Sequence, residues 1–66
     1  MTYNIRELRQ SKHWSQKKLS EVSGVPQSTI SEIEKGKREP AFRLMKRIAA
    51  ALDISLDQIE EKEAES

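Results

Sequence analysis

The 66-residue chain carries 12 Lys/Arg, 11 Asp/Glu, one His and no Cys, a formal net charge of +1. A chain this short buries only about 60% of the surface its unfolded form exposes, which excludes a second core and leaves one domain of modest stability. Disulfides are excluded, no cofactor or small-molecule site is evident, and His13 has no partner at metal-ligand spacing, so oligomerisation is the remaining supplement. Apolar runs extend only a few residues, too short for a signal or membrane segment. With the absence of cysteine, this predicts a soluble, cytoplasmic protein with no membrane partner.

Charge is unevenly divided along the chain. Residues 1–52 hold eleven Lys/Arg against five Glu, whereas residues 53–66 hold one Lys against six acids. The first part has the electrostatics of a polyanion binder. A solvated face gives the same composition, so position must decide.

Both prolines and both glycines fall between segments of 3.6-residue periodicity, and no stretch alternates apolar and polar residues for long, so the class is all-α. The first helix is predicted over about Tyr3 to Lys12, capped by Thr2 or Asn4, with Ile5 and Leu8 inward and Trp14 in the link. The second starts after Ser15, whose hydroxyl can accept from a free N–H of the first turn; it buries Leu19 and Val22 and stops at Gly24. The third runs from about Pro26, suited to a first turn because it lacks an N–H, to Lys35, with Gly36 at its C′ position. A fourth follows the loop 37–40, from Ala41 to Leu52, with Phe42, Met45, Ile48, Ala49 and Leu52 as a core stripe. Ser55 and Gln58 form a capping-box pair ahead of a short fifth helix, with Leu56 and Ile59 inward. Residues 1–60 make the domain, and 61–66 an acidic, disordered tail too poor in apolar residues to fold alone.

Two short helices joined through one glycine, with Leu19, Val22, Val25, Ile30 and Ile33 at packing positions, have the layout of a helix-turn-helix spanning Gln16 to Lys37. If Ile30 and Ile33 point inward, Gln27, Ser28, Ser31, Glu32 and Lys35 share the outward face, and every one is polar. Short or amide-bearing residues at its front suit close approach to base edges; an ordinary solvated face would look similar. Gln16 opens the second helix where free N–H groups and the helix dipole favour a phosphate, and Lys35, Lys37 and Arg38 close the third.

These residues resemble the phage-repressor and Cro-like (Xre) helix-turn-helix family. The likeness rests on Ile5-Arg6-Glu7-Leu8-Arg9, Ser15-Gln16-Lys17-Lys18-Leu19-Ser20, Ser23-Gly24-Val25-Pro26-Gln27-Ser28-Thr29-Ile30-Ser31, Ile33-Glu34-Lys35-Gly36-Lys37-Arg38, Pro40 and Ile48-Ala49-Ala50-Ala51-Leu52. It covers about residues 4 to 60 and implies a five-helix lambda-repressor-like domain, with the helix-turn-helix in helices 2 and 3.

The resemblance implies base contacts from Gln27, Ser28, Ser31 and Glu32. It implies phosphate contacts from Gln16, Lys17, Lys35, Lys37 and Arg38, with Gln16 also bracing the first reading residue. Arg9 and Glu34 match a pair that ties helix 1 to helix 3 in several relatives; a phosphate contact is the competing role for Arg9. Glu32 either accepts from cytosine N4 or pairs with Lys35 at i, i+3. Pro26 and Ala41 stand where relatives often carry capping Ser or Thr, which leaves Val25 or Ser28 to cap helix 3.

The implied partner is double-stranded DNA, a pseudo-palindromic operator bound by a homodimer, with repression the expected outcome. The dimer interface is expected in the C-terminal region, around helix 5 and Asp53-Ile54; Leu44 is either part of it or core edge. A DNA-binding antitoxin or other protein-interaction module of the same fold is the alternative, with the acidic tail as its partner segment. Catalysis would need a pocket with a positioned acid, base or nucleophile, which one His, no Cys and solvated carboxylates do not provide.

Overall fold

In the computed structural model, residues 2–62 are described. The elements in order are strand β1 (Thr2–Tyr3), helices α1 (Ile5–Ser11), α2 (Gln16–Ser23), α3 (Gln27–Glu34) and α4 (Phe42–Leu52), a 3-10 turn (Leu56–Gln58) and strand β2 (Glu61–Lys62). Ile5, Leu19, Val25, Ile30, Ile33, Ile48 and Leu52 are fully buried and form one core, with α2 packed on both α3 and α4. Around it lie half-buried Tyr3, Leu8, Trp14, Leu44, Met45, Ala51, Ile54 and Ile59. Leu44 thus packs against the core while staying half-buried.

Two expected core residues are exposed: Val22 at 46% and Phe42 at 69%. Val22 lies on the flank of α2, and its place is taken by Val25, which the left-handed turn at Gly24 (φ 77°) returns to the core. Phe42 is the first residue of α4 and sits roughly 70° round from the centre of the Ile48, Ala49 and Leu52 stripe, beyond the part of it that is covered.

The expected fifth helix is only the 3-10 turn. The Ser55 N–H donates to Gln58 Oε1 at 3.1 Å, closing one turn, and Ile59 then goes extended (φ −87°, ψ 114°). A single turn gains too few hydrogen bonds to propagate, and the residues beyond it find a better partner in the N-terminal end of the chain. There β2 pairs antiparallel with β1, Thr2 opposite Lys62 and Tyr3 opposite Glu61.

The first helix accordingly starts at Ile5, because Tyr3 is in the ladder. Asn4 caps nothing with its side chain; instead its Nδ2 donates to the Gln58 carbonyl at 3.0 Å and its Oδ1 accepts from the Glu60 N–H at 2.8 Å. Glu61 and Lys62 thus belong to the fold, while residues 63–66 of the expected tail lie outside the described residues. Among the described residues, no helix is long and apolar enough to cross a membrane.

Candidate nucleic-acid interface

Helix α2 begins as the sequence requires: Ser15 is its N-cap, and the Ser15 hydroxyl accepts from the Lys18 N–H at 3.0 Å. After Gly24, the Val25 N–H donates to Ser23 Oγ at 3.1 Å, and Pro26 occupies the N-cap of α3 with no side-chain cap. Neither Val25 nor Ser28 takes that task; the Pro26 carbonyl accepts from the Ile30 N–H at 3.1 Å and starts the helix. At the other end, Gly36 (φ 75°) donates to Ile33 O and Lys37 to Glu32 O, the paired bonds of a Schellman stop.

Thr29, Ile30, Ile33 and Glu34 of α3 are buried, so the outward face carries Gln27, Ser28 and Lys35 exposed with Ser31 and Glu32 half-buried. The five residues expected together do share one side.

Behind that face is a polar knot. Arg9 Nε and Nη2 donate to the two Glu34 oxygens at 2.9 and 3.1 Å, and Arg9 Nη1 donates to the Trp14 carbonyl at 2.7 Å. Gln16 Nε2 and Arg6 Nε add donors to Glu34 Oε1 at 3.0 and 3.4 Å. Burial alone would raise the Glu34 carboxyl, but the donors from Arg9, Gln16 and Arg6 outweigh it and hold it below the usual carboxylate range. The hydrogen bonds that Arg9 donates to Glu34 in turn raise Arg9, which keeps its charge. Arg9 is thus a brace between α1 and α3, and Gln16 extends that brace to α2.

Lys17, Lys35, Lys37 and Arg38 are exposed. Glu32 pairs with Arg38 at 3.7 Å, both about half exposed, in place of the expected Lys35. Lys12 and Lys18 both lie over the Trp14 ring, at 5.6 and 5.9 Å. Among the described residues, no group of His, Cys, Asp or Glu could hold a metal ion.

Residues 5–59, covering α1 through the 3-10 turn, match the helix-turn-helix family. The chain belongs to the Xre/Cro-like helix-turn-helix family. That family consists of DNA-binding transcriptional regulators. Among its helix-turn-helix relatives, the uncharacterized regulator YgzD of Bacillus subtilis is 34% identical over 59 residues, 89% of either chain. The regulator y4dL of Sinorhizobium fredii is 39% identical over 56 residues, 85% of this chain but 29% of its own length. A Mycobacterium tuberculosis regulator is covered over 38%, so the chain spans about a third of these first curated relatives. The crystal structure of the restriction-modification controller protein C.AhdI from Aeromonas hydrophila superposes with a TM-score of 0.80, at 35% identity over 82% of each chain.

Sequence reasoning missed the roles of Arg6 and the Trp14 carbonyl in this helix-turn-helix. Arg6 lies 28 positions from Glu34, and no periodicity connects them. The proximity of Gln16 to the start of α2 suggested a phosphate and not a carboxylate 18 positions away.

Proposed function

We propose that the chain is the sequence-specific double-stranded DNA-binding part of a small transcriptional regulator, with α3 lying in the major groove. The observation that carries this reading is a wholly polar outward face on α3, held rigidly from behind by the knot at Glu34 and flanked by Lys17, Lys35 and Lys37, which among the described residues have no carboxylate within 4 Å. Gln27 would read adenine through N6 and N7, with Ser28 and Ser31 adding adaptable contacts. Lys17, Lys35 and Lys37 would hold phosphates. Gln16 has one amide hydrogen committed to Glu34, and its second is available to a phosphate oxygen.

Glu32 and Arg38 are coupled in the free chain. On DNA, Arg38 turns to phosphate when Glu32 is taken up by cytosine N4, and both stay paired otherwise. A half-exposed pair of this kind costs little to separate.

A single module reads only a few base pairs, so a homodimer on half-sites about one helical turn apart supplies the specificity. Half-buried Ile54, Leu56 and Ile59 keep apolar surface at the C-terminal region, which suits that interface. Repression is the outcome that DNA occupancy alone accomplishes, by excluding other proteins from the site.

Selection of bound sequences from a random duplex pool at fixed salt should return a two-fold-symmetric motif; an unenriched pool sinks the reading. Gln27→Ala should lose roughly 1–3 kcal/mol on the selected site and relax one position, while Lys37→Ala should weaken all sequences and flatten the salt slope by about one unit. Equal losses on matched and random DNA would remove Gln27 from the reading set.

A further inference from the structure

Helix α4 has a task on its outer side that the core does not explain. Its inward positions are Ile48, Ala49 and Leu52, and its exposed positions are Phe42, Arg43, Lys46, Arg47 and Ala50. Three of those five are cations, and α4 contains no acidic residue to balance them. Arg6, Arg9 and Arg38 each have a glutamate within 4 Å; among the described residues, Arg43 and Arg47 have none. Phe42, although 69% exposed, is not idle: the Lys46 ammonium stands 5.7 Å from its ring centroid, which restrains a long side chain on the helix surface. Together with the loop before it, this makes residues 35–47 a segment of six cations and one acid.

We propose that the outer face of α4, through Arg43, Lys46 and Arg47 with Phe42 positioning Lys46, is an additional phosphate-binding strip for duplex DNA flanking the bases read by α3. The inference rests on the DNA-binding reading above and extends it. Charge selects DNA as the occupant, since the strip holds three cations and no acid and follows Lys35, Lys37 and Arg38 in the sequence. The chain's own acidic end is the other polyanion at hand, but in each copy Glu61 is strand-paired with Tyr3 and accepts from its hydroxyl at 3.4 Å, and the Glu60 backbone is bonded to Asn4. Contacts from α4 reach only backbone phosphate and so contribute affinity without base preference.

The test compares the wild-type chain with Arg43→Gln/Lys46→Gln/Arg47→Gln on the selected site, in a long duplex and in one trimmed to the symmetric motif. All three positions are exposed, so the thermal midpoint and helical circular dichroism should be unchanged. On the long duplex the variant's salt slope should be shallower by up to about 2.7 units, at about 0.9 per phosphate lost. That is about a 40-fold smaller loss of affinity between 50 and 200 mM salt. The difference should shrink on the trimmed duplex, and base preference should not change. Phe42→Ala, which leaves all charges in place, should weaken binding on the long duplex alone. A variant with wild-type slope on the long duplex overturns the strip, as does one that keeps its slope and loses self-association, which assigns the face to a second copy. A wild-type chain that binds no duplex at all overturns the DNA reading beneath it.

Discussion

At Glu34, side chains from three helices converge on a carboxylate that they cover from water: Arg6 and Arg9 from α1, Gln16 from α2 and the carboxylate itself from α3. Removing a buried partner leaves a charge unpaired, so Glu34→Ala should cost roughly 3–5 kcal/mol, read as a fall in the unfolding midpoint. A carboxyl held below its ordinary value stabilises the fold fully above the unfolded value of about 4.3 and loses that contribution as acid passes through the lowered folded value. Wild type should therefore lose stability below about pH 5 more steeply than Glu34→Gln, and parallel curves would show that the carboxyl is unperturbed. The Arg9 to Glu34 tie was legible only by resemblance, because a separation of 25 positions leaves no periodic trace. Gln27 and Ser28 were legible directly, since the phase of two isoleucines sets which side of α3 faces out.

Helix ends show how local chemistry was read and where it was overridden. Ser15, Gly24 and Gly36 are found at the terminal positions their chemistry suits, and Ser15→Ala should lose about 1 kcal/mol. Ala41 stands at the start of α4 with extended backbone (φ −66°, ψ 150°) and no side-chain acceptor, so Ala41→Ser should gain about 1 kcal/mol. Two stops gave no sequence signal. His13 (φ 60°) and Asp53 (φ 58°) adopt the left-handed conformation that ends α1 and α4. At His13 the bonds His13 N–H to Gln10 O and Trp14 N–H to Arg9 O force that geometry. His13→Gly should relieve about 1 kcal/mol, measured by denaturant midpoint, and an unchanged midpoint would show the turn to be unstrained. Local backbone bonds that close the helix ends here outweigh residue preference, which is why periodicity placed the helices within a residue or two but missed these turns.

At the scale of the molecule, the core among the described residues is seven fully buried side chains, all Ile, Leu or Val. Loss of one is a large fraction of what so small a domain can hold: Ile48→Ala should cost roughly 2–5 kcal/mol, enough to leave much of the chain unfolded at 37 °C. A cooperative melt within a few degrees of wild type would contradict that. The helical class and all seven of these core positions, Val25 in the turn included, followed from spacing and turn residues. The ladder between β1 and β2 did not, because two-residue strands have no alternation to detect and their pairing joins the two extremes of the chain. Val22 and Phe42 were misplaced for a related reason: a stripe tells which residues can turn inward, and the neighbouring helix decides how wide the covered arc is.

That ladder also fixes how the molecule would yield to a pull. Thr2 faces Lys62 and the strands run antiparallel, so both ends leave from the same side, and tension between them loads the hydrogen bonds one after another instead of all at once. Stretched by its ends, the domain would open like a zip, parting first at Thr2 and Lys62, then at the Asn4 clamp, with the helix-turn-helix the last part to feel the load.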